Sequence, residues 1–72
     1  MSRHKLVSGK ECIKVLCNEF GFRIVRQKGS HVVLRKNGTG TVVPVHPELK
    51  TGTLRGILKL AKVSEEEFFR RI

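Results

Sequence analysis

Phe22-Arg23-Ile24-Val25-Arg26-Gln27-Lys28-Gly29-Ser30-His31-Val32-Val33-Leu34-Arg35-Lys36-Asn37-Gly38-Thr39-Gly40-Thr41-Val42-Val43-Pro44-Val45-His46 is the stretch on which the fold turns. It holds three runs rich in β-branched residues, 22–28, 31–36 and 40–46, separated by Gly29-Ser30 and by Asn37-Gly38. Asn-Gly between β runs is the strongest short hairpin signal, and Gly-Ser suits a II′ turn. Pro44 has no N–H to give to a ladder, so the third run should lie at a sheet edge. The unbroken Val32-Val33-Leu34 suits the middle strand. The expectation is an antiparallel meander in the order 1-2-3.

Helical signals flank this stretch on both sides. Ser8-Gly9-Lys10-Glu11 fits the capping box, in which the serine hydroxyl and the glutamate carboxylate each satisfy a backbone donor the helix leaves orphaned. Val7 and Cys12 hold the two staple positions. Ile13, Leu16, Cys17 and Phe20 then form a core-facing stripe, and Gly21 can end the helix in the left-handed conformation. A second helix is expected over about Thr51–Lys62, with Leu54, Ile57, Leu58 and Ala61 inward and Arg55, Lys59 and Lys62 along another face. Ser64-Glu65-Glu66-Glu67 is another capping signature, with three carboxylates in the turn where the helix dipole favours them, and Val63 and Phe68 at the staple positions. The fold class is therefore α+β: α-β-β-β-α with an antiparallel three-stranded sheet, the helices on one face, and a short C-terminal helix. A single domain over 1–72 is expected.

If both hairpins have two-residue loops, Lys28 pairs with His31, Arg26 with Val33, Val33 with Val42 and His31 with Pro44. Alternation then gives a core face of Val25, Val32, Leu34, Val43 and Val45. The opposite face carries Arg26, Lys28, His31, Arg35 and His46 around Ile24, Val33, Val42 and Pro44. His46 would sit diagonal to His31, about 7–8 Å away for such neighbours.

Charge points to the partner. The chain has 15 Lys and Arg against 6 acids, a formal net charge of +9. Between Gly21 and Lys62 the only acid is Glu48, and the other five lie at Glu11, Glu19 and Glu65 to Glu67. A compact basic domain of this kind favours a polyanion, most simply nucleic acid. No apolar run is long enough to cross a membrane, and Met1-Ser2-Arg3-His4-Lys5 leads into no apolar stretch. A cytoplasmic protein without membrane association is expected. Cys12 and Cys17 are too few for a disulfide scaffold and read as small buried apolar side chains. A zinc site from Cys12, Cys17, His31 and His46 would lack the short ligand spacings of structural sites.

The residue inventory narrows the chemistry. Aspartate is absent, which removes the Ser-His-Asp triad, and no phosphate-binding glycine loop with its Lys-Ser or Lys-Thr is present. A nuclease that holds magnesium needs carboxylates, and Glu48 alone is insufficient. RNA cleavage without metal or cofactor stays open, because the substrate's own 2′-hydroxyl attacks the adjacent phosphate. The protein then supplies a proton acceptor, a proton donor and positive charge, and histidine titrates in the right range. On this reading His31, beside the Gly-Ser turn and amid Arg and Lys, is the candidate general acid/base and His46 a candidate helper, against the alternative that a lone strand histidine is structural. Arg26, Lys28 and Arg35 are phosphate contacts, and the Gly29-Ser30 turn offers backbone donors. Arg55 and Lys59 on the second helix are either further RNA contacts or a solvated face.

Gly21-Phe22, Arg26-Gln27-Lys28-Gly29-Ser30-His31, Val43-Pro44-Val45-His46 and Gly52-Thr53-Leu54-Arg55-Gly56-Ile57-Leu58-Lys59 together resemble the HicA toxins of HicAB toxin–antitoxin pairs. The resemblance covers about residues 8–70. It implies a double-stranded-RNA-binding-domain-like fold and a metal-independent ribonuclease acting on mRNA, with the histidine of Gly-Ser-His, here His31, catalytic. It also implies neutralisation by a HicB-like antitoxin protein. The family often has glycine near Lys62. Two other classes compete with the enzyme: a non-catalytic RNA-binding module of the same fold, and a partner-binding protein whose Ile24, Val33 and Val42 patch only engages an antitoxin.

Overall fold

A computed structural model describes residues 6–72; the first five residues of the domain expected over 1–72 lie outside the described residues. The chain order is α1 (Gly9–Phe20), β1 (Arg23–Lys28), β2 (His31–Lys36), β3 (Thr39–Pro44), α2 (Thr51–Ala61) and α3 (Glu65–Arg70). The strands form one antiparallel sheet in the order β1-β2-β3, so the expected α+β meander is the observed one.

Local chemistry sets the element ends. The Glu11 N–H donates to Ser8 Oγ at 3.0 Å and the Ser8 N–H to Glu11 Oε1 at 3.2 Å, closing the capping box at the start of α1. Val7 and Cys12 are fully buried beside it, as a hydrophobic staple requires. Gly21 takes φ 80° and the Phe22 N–H reaches back to the Leu16 carbonyl at 3.0 Å, which ends the helix. Ser64 Oγ accepts from the Glu67 N–H at 3.0 Å to start α3. Lys62 ends α2 at φ 60°, ψ 38°, a left-handed conformation that glycine adopts without strain and lysine does not.

The core lies between one face of the sheet and the helices. Val32, Leu34 and Val43 from the sheet meet Leu16 of α1, Leu54, Ile57, Leu58 and Ala61 of α2, and Phe68 of α3. Thr41 is the buried polar residue of that face, and its hydroxyl donates to the Ile57 carbonyl at 2.9 Å, tying β3 to α2. An isolated bridge joins Val7 to Leu49, with the Leu49 N–H donating to the Val7 carbonyl at 2.7 Å. That bridge folds the segment after β3 back over the start of α1.

Both hairpins have the expected two-residue loops. Lys28 faces His31, Arg26 faces Val33, Val33 faces Val42 and His31 faces Pro44. The first loop residue carries positive φ in each case, 59° at Gly29 and 54° at Asn37. The register of β1 departs from expectation beyond Arg26. A bulge between Ile24 and Arg26 makes Val25 the extra residue, so Ile24 faces Leu34 and Arg23 faces Arg35. Val25, expected in the core, is therefore exposed, and Ile24, expected on the open face, stands opposite a core residue. A bulge advances one strand by one residue and exchanges the faces of everything beyond it. The helices also stop short of this edge: all six residues of β1 are exposed.

Candidate functional site

The open face of the sheet is assembled from two turns and the alternation that follows them. Gly29-Ser30 closes the first hairpin, so Lys28 and His31 emerge side by side at its end. Arg26 lies next along β1 opposite Val33, and Arg35 lies further along β2 opposite Gly40. His31, Arg26, Lys28 and Arg35 are all exposed, on the side of the sheet away from the helices, around half-buried Val33 and exposed Val42. A Cβ added to Gly29 would meet nothing within 4 Å. The glycine is there for its φ, and the turn is open to a ligand approaching the backbone.

The turn is also held from behind. The Val45 N–H donates to the Ser30 carbonyl at 2.6 Å, and the Gly9 N–H to the His46 carbonyl at 2.8 Å. The first connects the His31 hairpin to the exit of β3, and the second connects that exit to the first turn of α1. Gly9 permits the approach: a Cβ there would overlap the Pro44 carbonyl and lie 2.9 Å from Val45 Cα.

His46 does not join the face in the way alternation predicts. The ladder ends at Pro44, and the His46 N–H turns back to the Pro44 carbonyl at 2.9 Å. His46 instead lines a shallow cleft with Ser8, Lys10, Val45 and Pro47, a set without His31. Arg55 and Lys59 stand in the helical layer, across the sheet from His31. The Arg55 guanidinium is committed to Glu65 at 2.9 Å. The structure thus brings together His31, Arg26, Lys28, Gly29, Ser30 and Arg35, and leaves His46, Arg55 and Lys59 apart from them.

Arg23 is the residue that alternation from the turn missed, because only the bulge carries it to the open face beside Arg35. The adjacent apolar pair Ile24-Val25 is the one available signal, since two consecutive β-branched residues leave the face of each undecided.

The face is unneutralised. Among the described residues the ion pairs are Arg55 with Glu65, Arg70 with Glu66 and Glu67, and Arg71 with Glu19 and Glu67, all in the helices and their flanks. None involves a sheet cation. No group of three His, Cys, Asp or Glu among the described residues is arranged to hold a metal ion. Burial pushes the Cys12 thiol up to about 12 and raises Cys17 as well, so both favour the unreactive protonated form. No helix among the described residues is long and apolar enough to cross a membrane. The arrangement provides an exposed imidazole beside four cations on an open surface, suited to an extended anion.

A family model described as the HicA toxin of bacterial toxin–antitoxin systems matches residues 9–63. No curated protein matches the chain.

Proposed function

The chain belongs to the HicA toxins, the toxin half of bacterial toxin–antitoxin pairs, and from that premise we propose that it is an endoribonuclease that cuts mRNA in the cytoplasm without a metal. One observation carries the reading. His31 stands exposed at the end of a hairpin, directly opposite Lys28 and on the same face as Arg26 and Arg35, and no acid among the described residues pairs with those cations. Those cations hold the phosphates on either side of the cut and stabilise the charge that builds up on the phosphorane. His31 accepts the 2′-hydroxyl proton as the oxygen attacks phosphorus while solvent water protonates the departing 5′-oxygen, or it donates that proton while water accepts the one from the 2′-hydroxyl. The P–O5′ bond breaks, leaving a 2′,3′-cyclic phosphate on one fragment and a 5′-hydroxyl on the other. A HicB-like antitoxin would neutralise the toxin by laying acidic side chains over this face.

The decisive experiment is single-turnover cleavage by wild type and His31→Ala in excess EDTA, with RNA binding and thermal melts in parallel. Cleavage should fall by about 10²–10⁴, the range for a general acid or base. Binding and melting should hold, because the cations remain and an exposed side chain contributes little packing. RNA with a 2′-deoxy sugar at the cut should bind and stay intact. Wild-type cleavage by the variant, or cutting of the deoxy substrate, refutes the mechanism. One observation favours the non-catalytic RNA-binding module: with His46 beyond the ladder, His31 is the one imidazole among the paired residues of the face. On that alternative, wild type binds RNA and cuts none of it.

A further inference from the structure

Arg23 and Arg35 face each other across β1 and β2, and no acid pairs with either among the described residues. Like charges directly opposite in a sheet work against folding. Here the arrangement exists because a bulge at Val25 brings Arg23 onto the open face; an unbulged β1 would set it on the other side. Bulges bend an edge strand and re-aim its side chains, and they recur beside binding sites. Two guanidinium groups present parallel N–H donors that match the oxygens of one phosphate.

We infer that Arg23 and Arg35 form a second phosphate seat, which holds the RNA strand at a fixed distance from the bond cut beside His31. The inference rests on the RNA-cleaving reading and adds the length of RNA the site requires. Arg35 is four residues beyond His31 along β2, or about 14 Å at ~3.4 Å per residue. That spans about four nucleotides of stacked strand at ~3.4 Å each, and fewer where the bases splay apart. Arg26 lies between the two ends on the same face and continues the track.

The test uses His31→Ala protein as the background, so that the RNA stays intact, and compares Arg23→Gln with its parent. The probes are a dinucleotide, whose single internal phosphate can occupy one seat only, and an RNA of about twelve nucleotides, a length within the usual site range. The inference expects the affinity advantage of the longer RNA to shrink several-fold. The slope of log K against log salt should become shallower by about 0.7, the value for one phosphate contact on a single strand. The melting temperature at low salt should stay level or rise, because a repulsion is removed. Arg23→Lys should keep the slope and lose part of the affinity. Arg35→Gln should give the same readings, so that if one variant fails to fold the other decides. If the parent binds RNA and neither the length advantage nor the slope changes, the second seat is refuted and the function proposed above stands. If the parent binds no RNA even at low salt, both fall. If Arg23→Gln keeps its RNA affinity and loses only that for a protein antitoxin, the pair is a protein contact and the inference is wrong.

Discussion

Val32 and Val33 are neighbours in sequence and look to opposite sides of the sheet. Val32 is buried among the helices with Leu34, Thr41 and Val43, while Val33 is half-buried on the open face among Arg26, His31 and Arg35. The two edges of the sheet differ as sharply. β3 is packed against α2 and pinned beyond its end to the first hairpin and to α1, whereas every residue of β1 is exposed. The comparison teaches where a small chain puts its limited cohesion. With only 72 residues, one face and one edge carry the packing. The other face and edge are left free for charge that would weaken a core.

Substitutions on the two sides should therefore separate stability from activity. The largest loss of stability is expected from Leu34→Ala, which empties a fully buried site. Truncations of this kind cost about 2–5 kcal/mol, which rivals the ~3–5 kcal/mol a core of this size supplies. Urea titration should find the variant mostly unfolded; a melt close to wild type would show that the covered face is not the source of cohesion.

Next in size is a pH effect from Cys12. Its thiol is raised from 9.0 to about 12 by burial, so the folded state holds the proton more tightly than the unfolded chain. The stabilisation is complete below pH 9 and is lost as pH rises toward 12. Its slope is at most about 1.4 kcal/mol per pH unit. Urea midpoints from pH 8 to 11 should fall more steeply for wild type than for Cys12→Ala; parallel curves would mean the thiol is not sequestered.

Thr41→Val should cost about 1 kcal/mol, the net worth of the hydrogen bond to the Ile57 carbonyl, read as a lower urea midpoint with an unchanged m-value. Lys62→Gly should instead stabilise by up to about 1 kcal/mol, since it relieves a left-handed lysine; a lower melting temperature would show that the side chain packs in a way that outweighs the strain. The smallest change in stability belongs to the open face: Arg26→Gln should fall within about 0.5 kcal/mol of wild type. Its RNA salt slope should nevertheless flatten by about 0.7, and a change in stability without a change in slope would invert the comparison between the faces.

Much of this division could be read from residues alone, for identifiable reasons. Capping at Ser8 and Ser64 and the two hairpin loops are local devices, written within a few neighbouring positions. The Ser8 box and both loops form as expected, while at Ser64 the serine accepts from the Glu67 N–H and the Glu67 carboxylate turns to Arg70 and Arg71. His31, Lys28 and Arg26 fell on one face because two-residue turns fix the pairing closest to them. What escaped depends on contacts distant in sequence. The bulge at Val25 has no local marker beyond two adjacent apolar residues, and it hid Arg23. The departure of His46 depends on α1, whose Gly9 N–H takes its carbonyl. Arg55 is drawn to Glu65, ten residues on and in another helix. Val15 falls three residues after Cys12 and Thr41 two before Val43, so helical and strand periods already place both on the covered side. Leu49, by contrast, lies in a loop and is buried through its bridge to Val7, which no periodicity announced.

The close approach at Gly9 has a consequence for how the molecule breathes. Amide hydrogens exchange with solvent through local openings that occur in cooperative units. The Gly9, Val45 and Leu49 amides come from separate parts of the chain, yet each is bonded across the same junction, to His46, Ser30 and Val7 respectively. They should exchange together, and more slowly than amides on the bare edge of β1. The hairpin that carries His31 is then part of the same opening unit as the first turn of α1. Tension applied at Val7 would reach the His31 turn through this chain of backbone hydrogen bonds.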